Sequence, residues 1–195
     1  MSWPHGNRES GFTLIELMVA IAVLAVLLAA AGPSFADFFE RYRLRSAVDD
    51  TLNLFAVARQ GAVEADRNVK VKFADSTSDW CGGAIEQTSP STVGDPVPLD
   101  PTACVCESAP DSCLVGGENL VVNAGGRGVT IGAGGTTVTF DSKNGTLNPL
   151  ATREVDFISS SGRYGLKVQV SALGQARACW ISGKRPIPGY RECQT

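Results

Sequence analysis

The chain has 195 residues, 44% of them hydrophobic, with 17 Lys+Arg against 20 Asp+Glu, a formal net charge of −3 and six cysteines. Its one histidine is His5, so everything after the first few residues lacks a Ser-His-Asp or Cys-His arrangement and any His metal ligand. No Asp/Glu pair stands in a glycosidase or nuclease motif, and the reading is therefore not an enzyme and no cofactor.

After the polar start "MSWPHGNRESG" comes "FTLIELMVAIAVLAVLLAAAGPSFADFFERYRLR", in which Leu17 to Ala36 carries no charge over 20 residues. At about 1.5 Å per residue such a helix is about 30 Å long, the thickness of one hydrocarbon core. "AAAGPSFA" offers small residues to a signal peptidase, but the run passes without a turn cluster into a further helical pattern. Glu16 sits at the edge of the run. An intramembrane carboxylate costs about 2.5–3.5 kcal/mol when deep and reads as functional, with a partner; a Glu reaching the headgroup layer is the plain alternative.

Gly32-Pro33 is expected to kink the helix. Beyond it Leu44, Val48, Leu52, Phe55, Ala58 and Ala62 fall on one helical face. Arg41, Arg45, Asp49, Asn53 and Gln60 fall on the other, and Arg41, Arg43 and Arg45 read as a solvated or headgroup-facing stripe. The helix is expected from Phe12 to about Asp66. From Asn68 the period changes to two: "NVKVKFA", "DWCGGAIEQ", "ENLVVNA", "RGVTI", "TTVTF", "EVDFIS" and "RYGLKVQVSALGQARACW" read as strands. One long helix followed by short strands indicates an α+β domain with an antiparallel sheet.

Thr88 to Gly117 reads as a long loop rich in Pro, Ser, Asp and Cys. Gly126-Arg127-Gly128 has no helix after it, so turns rather than a phosphate loop are expected there. "KNG" at 143–145 reads as a hairpin turn in preference to a glycosylation sequon. The cysteines, Cys81, Cys104, Cys106, Cys113, Cys179 and Cys193, all follow the apolar run and are even in number, which in an exported domain implies disulfides rather than zinc. Cys179 ends a strand, and Cys193 closes the turn-rich "ISGKRPIPGYRE" back onto it, so that pair is expected. The other four allow three pairings, and Cys104–Cys106 is disfavoured by geometry.

From Arg177 onward Arg177, Lys184, Arg185 and Arg191 stand against Glu192, +4 and −1, leaving −6 for the rest of the total of −3. Such clustering suits phosphate contacts, and Trp180 and Tyr190 offer rings for stacking on bases. A solvated loop is the plain alternative.

The stretch "GFTLIELMVAIAVLA" resembles the start of type IV prepilins. The resemblance implies a peptidase cut between Gly11 and Phe12, N-methylation of Phe12, and Glu16 as an assembly residue that meets the Phe amine of an adjacent subunit. "VKVKF", a W-x-x-G segment, "TTVTFDSKNG" and "VQVSALGQARAC" further resemble the GspH/FimT pilin-like proteins, with Gln175 replacing the first arginine of that family's Gly-Arg-x-Arg. The implied organisation is a leader (1–11), a transmembrane and filament-core helix (12–36) and a periplasmic pilin-like domain (37–195) that includes the second half of the helix. Implied partners are other pilins or pseudopilins, the prepilin peptidase and the inner membrane, which the chain would cross once. The implied role is a minor pilin or a type II secretion pseudopilin at the filament tip, priming assembly or supporting secretion. The alternative is a FimT-type pilin that binds DNA during natural transformation. That orientation puts the three arginines on the periplasmic side, against a simple positive-inside count.

Overall fold

The computed structural model describes residues 11–75, 80–87, 104–123, 128–132 and 136–194, without the side chains of 30–34 and 75. One helix, α1 (Leu14–Glu64), is followed by β1 (Val69–Asp75), β2 (Trp80–Glu86), β3 (Leu114–Val115), β4 (Glu118–Asn119), β5 (Val121–Asn123), β6 (Val129–Ile131), β7 (Thr137–Phe140), β8 (Arg153–Ser159), β9 (Gly165–Val170) and β10 (Ala176–Trp180). The helix α1 runs through Gly32-Pro33 as one element, although Pro33 has no N–H to donate to the turn before it. The chain divides into two compact units, Met1–Phe39 and Glu40–Thr195.

In the first unit the described side chains from Leu14 to Leu28 are exposed all round, Leu14 by 78% and Val26 by 70%. Among the described residues no helix is long and apolar enough to cross a membrane. The described side chains of the apolar run stop at Ala29, which from Leu14 gives about 24 Å of helix, short of a full core.

In the second unit the strands form two four-stranded antiparallel sheets, ordered β5-β2-β1-β7 and β10-β9-β8-β6, with β3-β4 as a separate hairpin. The single sheet expected from the strand pattern is thus divided in two. The helix face shows why. Besides Leu44, Val48, Phe55, Ala58 and Ala62, the helix buries Ala47, Thr51 and Leu54, a stripe wide enough for both sheets, whereas Leu52 is only half-buried. The Thr51 hydroxyl, which would be an orphan there, donates to Ala47 O at 2.8 Å. Aromatic rings stitch the three layers: Phe55 to Phe73 at 5.7 Å, Phe73 to Trp80 at 6.3 Å and Trp80 to Phe157 at 5.1 Å.

The disulfides are Cys81–Cys106, Cys104–Cys113 and Cys179–Cys193. The first ties the segment after 103 to β2, and the second closes that segment on itself over β2. Gly83 lies directly beneath them, and a side chain there would run into both Cys104 and Cys113 sulfurs. The segment expected as loop to Gly117 already holds a short 3-10 turn (Pro110–Ser112) and β3; residues 88–103 lie outside the described chain. "KNG" is a turn, with Gly145 at φ 61° and its N–H bonded to Asp141 O at 2.9 Å. Gly128 leads into β6, while Gly126 and Arg127 lie outside the described residues.

Candidate functional site

Two regions hold the residues singled out by sequence. At the N-terminus Gly11 and Phe12 precede the helix outside regular structure and are exposed, Phe12 by 89%, and among the described residues nothing lies within 4 Å of a side chain built at Gly11. The Gly11–Phe12 peptide bond is therefore open to an enzyme. Helix α1 begins one residue beyond Thr13, whose hydroxyl accepts the Glu16 N–H at 3.3 Å, while Leu17 N–H bonds Thr13 O at 3.2 Å. Thr13-Leu14-Ile15-Glu16 is thus an N-cap with glutamate at the third helical position, the spacing of a capping box. The sequence reading gave Glu16 charge pairing and a favourable place in the helix dipole; it missed Thr13 as the cap, which the T-x-x-E spacing signals. A carboxylate here also lies at the positive end of the helix dipole, one turn from the amine that cleavage would create at Phe12.

The C-terminal region is held by α1. Arg45 and Arg41, expected on a solvated stripe, are half-buried: Arg45 lies 6.0 Å from the centre of the Tyr190 ring and donates to Pro188 O, and Arg41 lies 5.9 Å from that of Tyr164. The tail that folds back over α1 explains Arg45, and Tyr164, just before β9, explains Arg41. Tyr190 O–H donates to Asp49 at 3.4 Å; burial, then the Asp49 charge, raise its pKa against the opposing effect of Arg45. Cys193 is bonded to Cys179, and Ile187 is buried beneath the tail. Trp180 and Tyr190 both pack against the core, so neither stands free as a stacking platform.

The basic residues of the tail do not act as one patch. Lys184 donates its ammonium to Gly162 O at 2.8 Å and is half-buried. Arg177, Arg185 and Arg191 are exposed, and Arg177 and Arg191 share a cleft of about 350 Å³ with Gln169 and Glu192. Missed from sequence was the anchor beside them. Glu40 accepts from Ser161 N–H at 2.9 Å and from Arg163 Nη2 at 2.8 Å, with only 10% of its side chain exposed. Burial alone would raise its pKa, but hydrogen bonds from Ser161, Ser159 and Arg163 outweigh it and hold it at about 2. Among the described residues no group of His, Cys, Asp or Glu is placed to hold a metal.

Comparison with known proteins bears on the first region. Residues 6–32 match the family described as the prokaryotic N-terminal methylation motif. A "Fimbrial protein" of Pseudomonas aeruginosa is 36% identical over 81 residues, covering 36% of this chain and 53% of that protein. The "Type IV major fimbrial protein FimA" of Dichelobacter nodosus is 32% identical over 89 residues, 45% of this chain and 46% of the relative. The chain thus spans about half the length of these curated relatives. Among solved structures, the type IV minor pilin FimU of Pseudomonas aeruginosa aligns with a TM-score of 0.44 at 19% identity, over 72% of this chain and 90% of that one. The chain resembles type IV fimbrial proteins: a prokaryotic N-terminal methylation motif heads a long helix whose second half packs on antiparallel sheets.

Proposed function

We propose that this chain is a minor pilin or pseudopilin of the GspH/FimT kind. It is cut between Gly11 and Phe12, methylated at the new amine, anchored once in the inner membrane by the start of α1 with its second unit in the periplasm, and drawn into a filament. There it sits near the tip and primes assembly, in a pilus or in a type II secretion pseudopilus. The observation that carries this is the exposed Gly11-Phe12 junction directly before a capped helix whose start is apolar apart from Glu16 in its first turn. An apolar face on every side suits lipid before assembly and neighbouring helices afterwards. Glu16 then finds the amine of an adjacent subunit only in register.

Mass spectrometry of the protein purified from membranes tests the processing. N-methyl-Phe12 is expected at the N-terminus, and Gly11→Arg should leave the leader attached. A wild-type chain that keeps residues 1–11, or starts near Ala31, overturns the reading.

DNA binding by the tail is the second reading, supported by three exposed arginines, Arg177, Arg185 and Arg191. It is weakened by Lys184, whose ammonium is already engaged, and by Gln175 in place of an arginine.

A further inference from the structure

Strand β10 is the outer strand of its sheet, and only part of its free edge is covered. Trp180 donates its N–H to Arg191 O at 2.8 Å and accepts the Cys193 N–H at 3.0 Å, so the tail seats as a short parallel segment at that end. Backbone groups on one side of a strand recur every second residue. Ala178 and Ala176 therefore turn their N–H and C=O toward the same side as Trp180, and among the described residues no partner meets them there. An open edge of this kind is a template for another strand.

Different chemistry flanks the two sides of this edge. Toward the helix runs a groove of about 720 Å³ between α1 and the β9–β10 turn, its apolar floor made by Leu52, Phe55, Ala56, Val63 and Ala176 and its rim by polar residues that include Arg59, Gln60, Glu64 and Asn144. Ala56 is exposed and Val63 is 47% exposed, although both border the core. On the outer face the exposed Arg177 and Arg191 line the smaller cleft, together with Glu192. A strand laid beside β10 would send alternate side chains to these two sides.

We propose that the open edge of β10 takes an extended segment of a partner polypeptide, paired to Ala178 and Ala176, that alternates apolar and acidic side chains. The apolar set fills the groove over Ala56 and Val63, and the acidic set meets Arg177 and Arg191. Backbone pairing supplies affinity and alternating side chains supply selectivity, as in strand addition to other sheets. The chain's own tail already uses the same edge at Trp180. Charge complementarity favours an acidic partner on the outer face, where the exposed Arg177 and Arg191 stand against Glu192 alone in the cleft. A nucleic acid would satisfy the arginines but has nothing to offer the edge amides or the apolar floor.

The test uses the full chain in detergent and a short, end-blocked, fluorescent peptide alternating valine with glutamate. Three controls accompany it: the same peptide with alternate amides N-methylated, the same composition in two blocks, and valine alternating with lysine. Saturable binding of the first is expected, with each control about tenfold weaker or worse. Ala56→Glu and Arg177→Glu should each weaken it about tenfold. So should Ala178→Pro, which removes an N–H that faces away from β9 and leaves that ladder's bonds in place. Equal binding by the N-methylated or block peptide overturns the proposal, as does indifference to Ala56→Glu and Arg177→Glu. Duplex DNA binding that survives Ala56→Glu, with no peptide binding, assigns the arginines to nucleic acid and equally overturns it.

Discussion

Two glutamates show how environment rather than residue type sets a role. Glu40, nearly buried, is kept ionised by Ser161 and Arg163, and its pKa falls from 4.5 to about 2. A carboxylate depressed on folding contributes stability above its unfolded pKa and loses it as pH falls through the folded value. The loss should therefore run from about pH 4.5 down to about pH 2, and be worth up to roughly 3 kcal/mol. Glu154 is also lowered, chiefly by its hydrogen bond from Lys167, so wild type will show some acid loss from there too. The informative quantity is the difference: Glu40→Gln should melt lower at pH 7 and lose less than wild type on acidification. Parallel melting curves against pH would show that the contact of Glu40 with Ser161 and Arg163 does not hold the fold. Glu16 is exposed and separable from its cap. Thr13→Val should cost about 1 kcal/mol of helix start yet leave filament entry intact. Glu16→Gln should be processed normally and fail to enter filaments. Incorporation assays on sheared filaments, run beside leader-cleavage blots, distinguish the two; normal entry of Glu16→Gln sinks the charge-pairing account.

At the scale of elements, the C-terminal tail and the β9–β10 turn are held by different means. The Cys179–Cys193 bridge closes a sequence separation of 14, worth about 3 kcal/mol if the unfolded chain is constrained in the usual way. Replacing both cysteines with serine should lower urea stability by about that amount and open the Lys184–Arg185 segment to trypsin while α1 and both sheets persist. Gly174 holds the turn. Its φ is 77°, and a Cβ there would run into Gly145 O, the same oxygen that Arg59 Nε bonds at 2.9 Å. Gly174→Ala should therefore destabilise by more than the roughly 1–2 kcal/mol of a left-handed alanine alone, read by urea titration. These elements differ in how far the sequence declared them. Strands with strict alternation, such as Val69, Val71 and Phe73, were plain because one face of each is buried. The tail was legible as a turn-rich loop between two cysteines. The pairing of Cys81, Cys104, Cys106 and Cys113 was not, because it depends on where the segment after 103 crosses β2. The split into two sheets was hidden for a similar reason: β7 returns to pair with β1, far back in the chain, while β6 pairs with β8. No local pattern records such a choice.

Across the whole molecule, charge is distributed against its average. The chain is −3 overall, yet the segment from Arg177 onward carries +4 and −1. Sequence counts every charge alike, whereas folding removes some from play. Lys184 is engaged with Gly162 O, and Arg41 and Arg45 lie against tyrosine rings, which leaves Arg177, Arg185 and Arg191 as the exposed cations of the tail. Three phosphate contacts, at about 0.9 each on duplex, bound the log–log salt slope at about −3. The acidic remainder of the chain opposes a polyanion most at low salt, where screening is weakest, and so flattens the slope further. Duplex DNA titrated into the full chain at several salt concentrations should accordingly bind weakly, without sequence preference and with a slope no steeper than about −3. Arg177→Gln should lower its magnitude by about 0.9, and Lys184→Gln should leave it unchanged. A steeper slope, or a slope that Lys184→Gln reduces, would show that the lysine leaves its carbonyl on binding or that a second surface takes part. In that case the tail described here is not the nucleic-acid contact by itself.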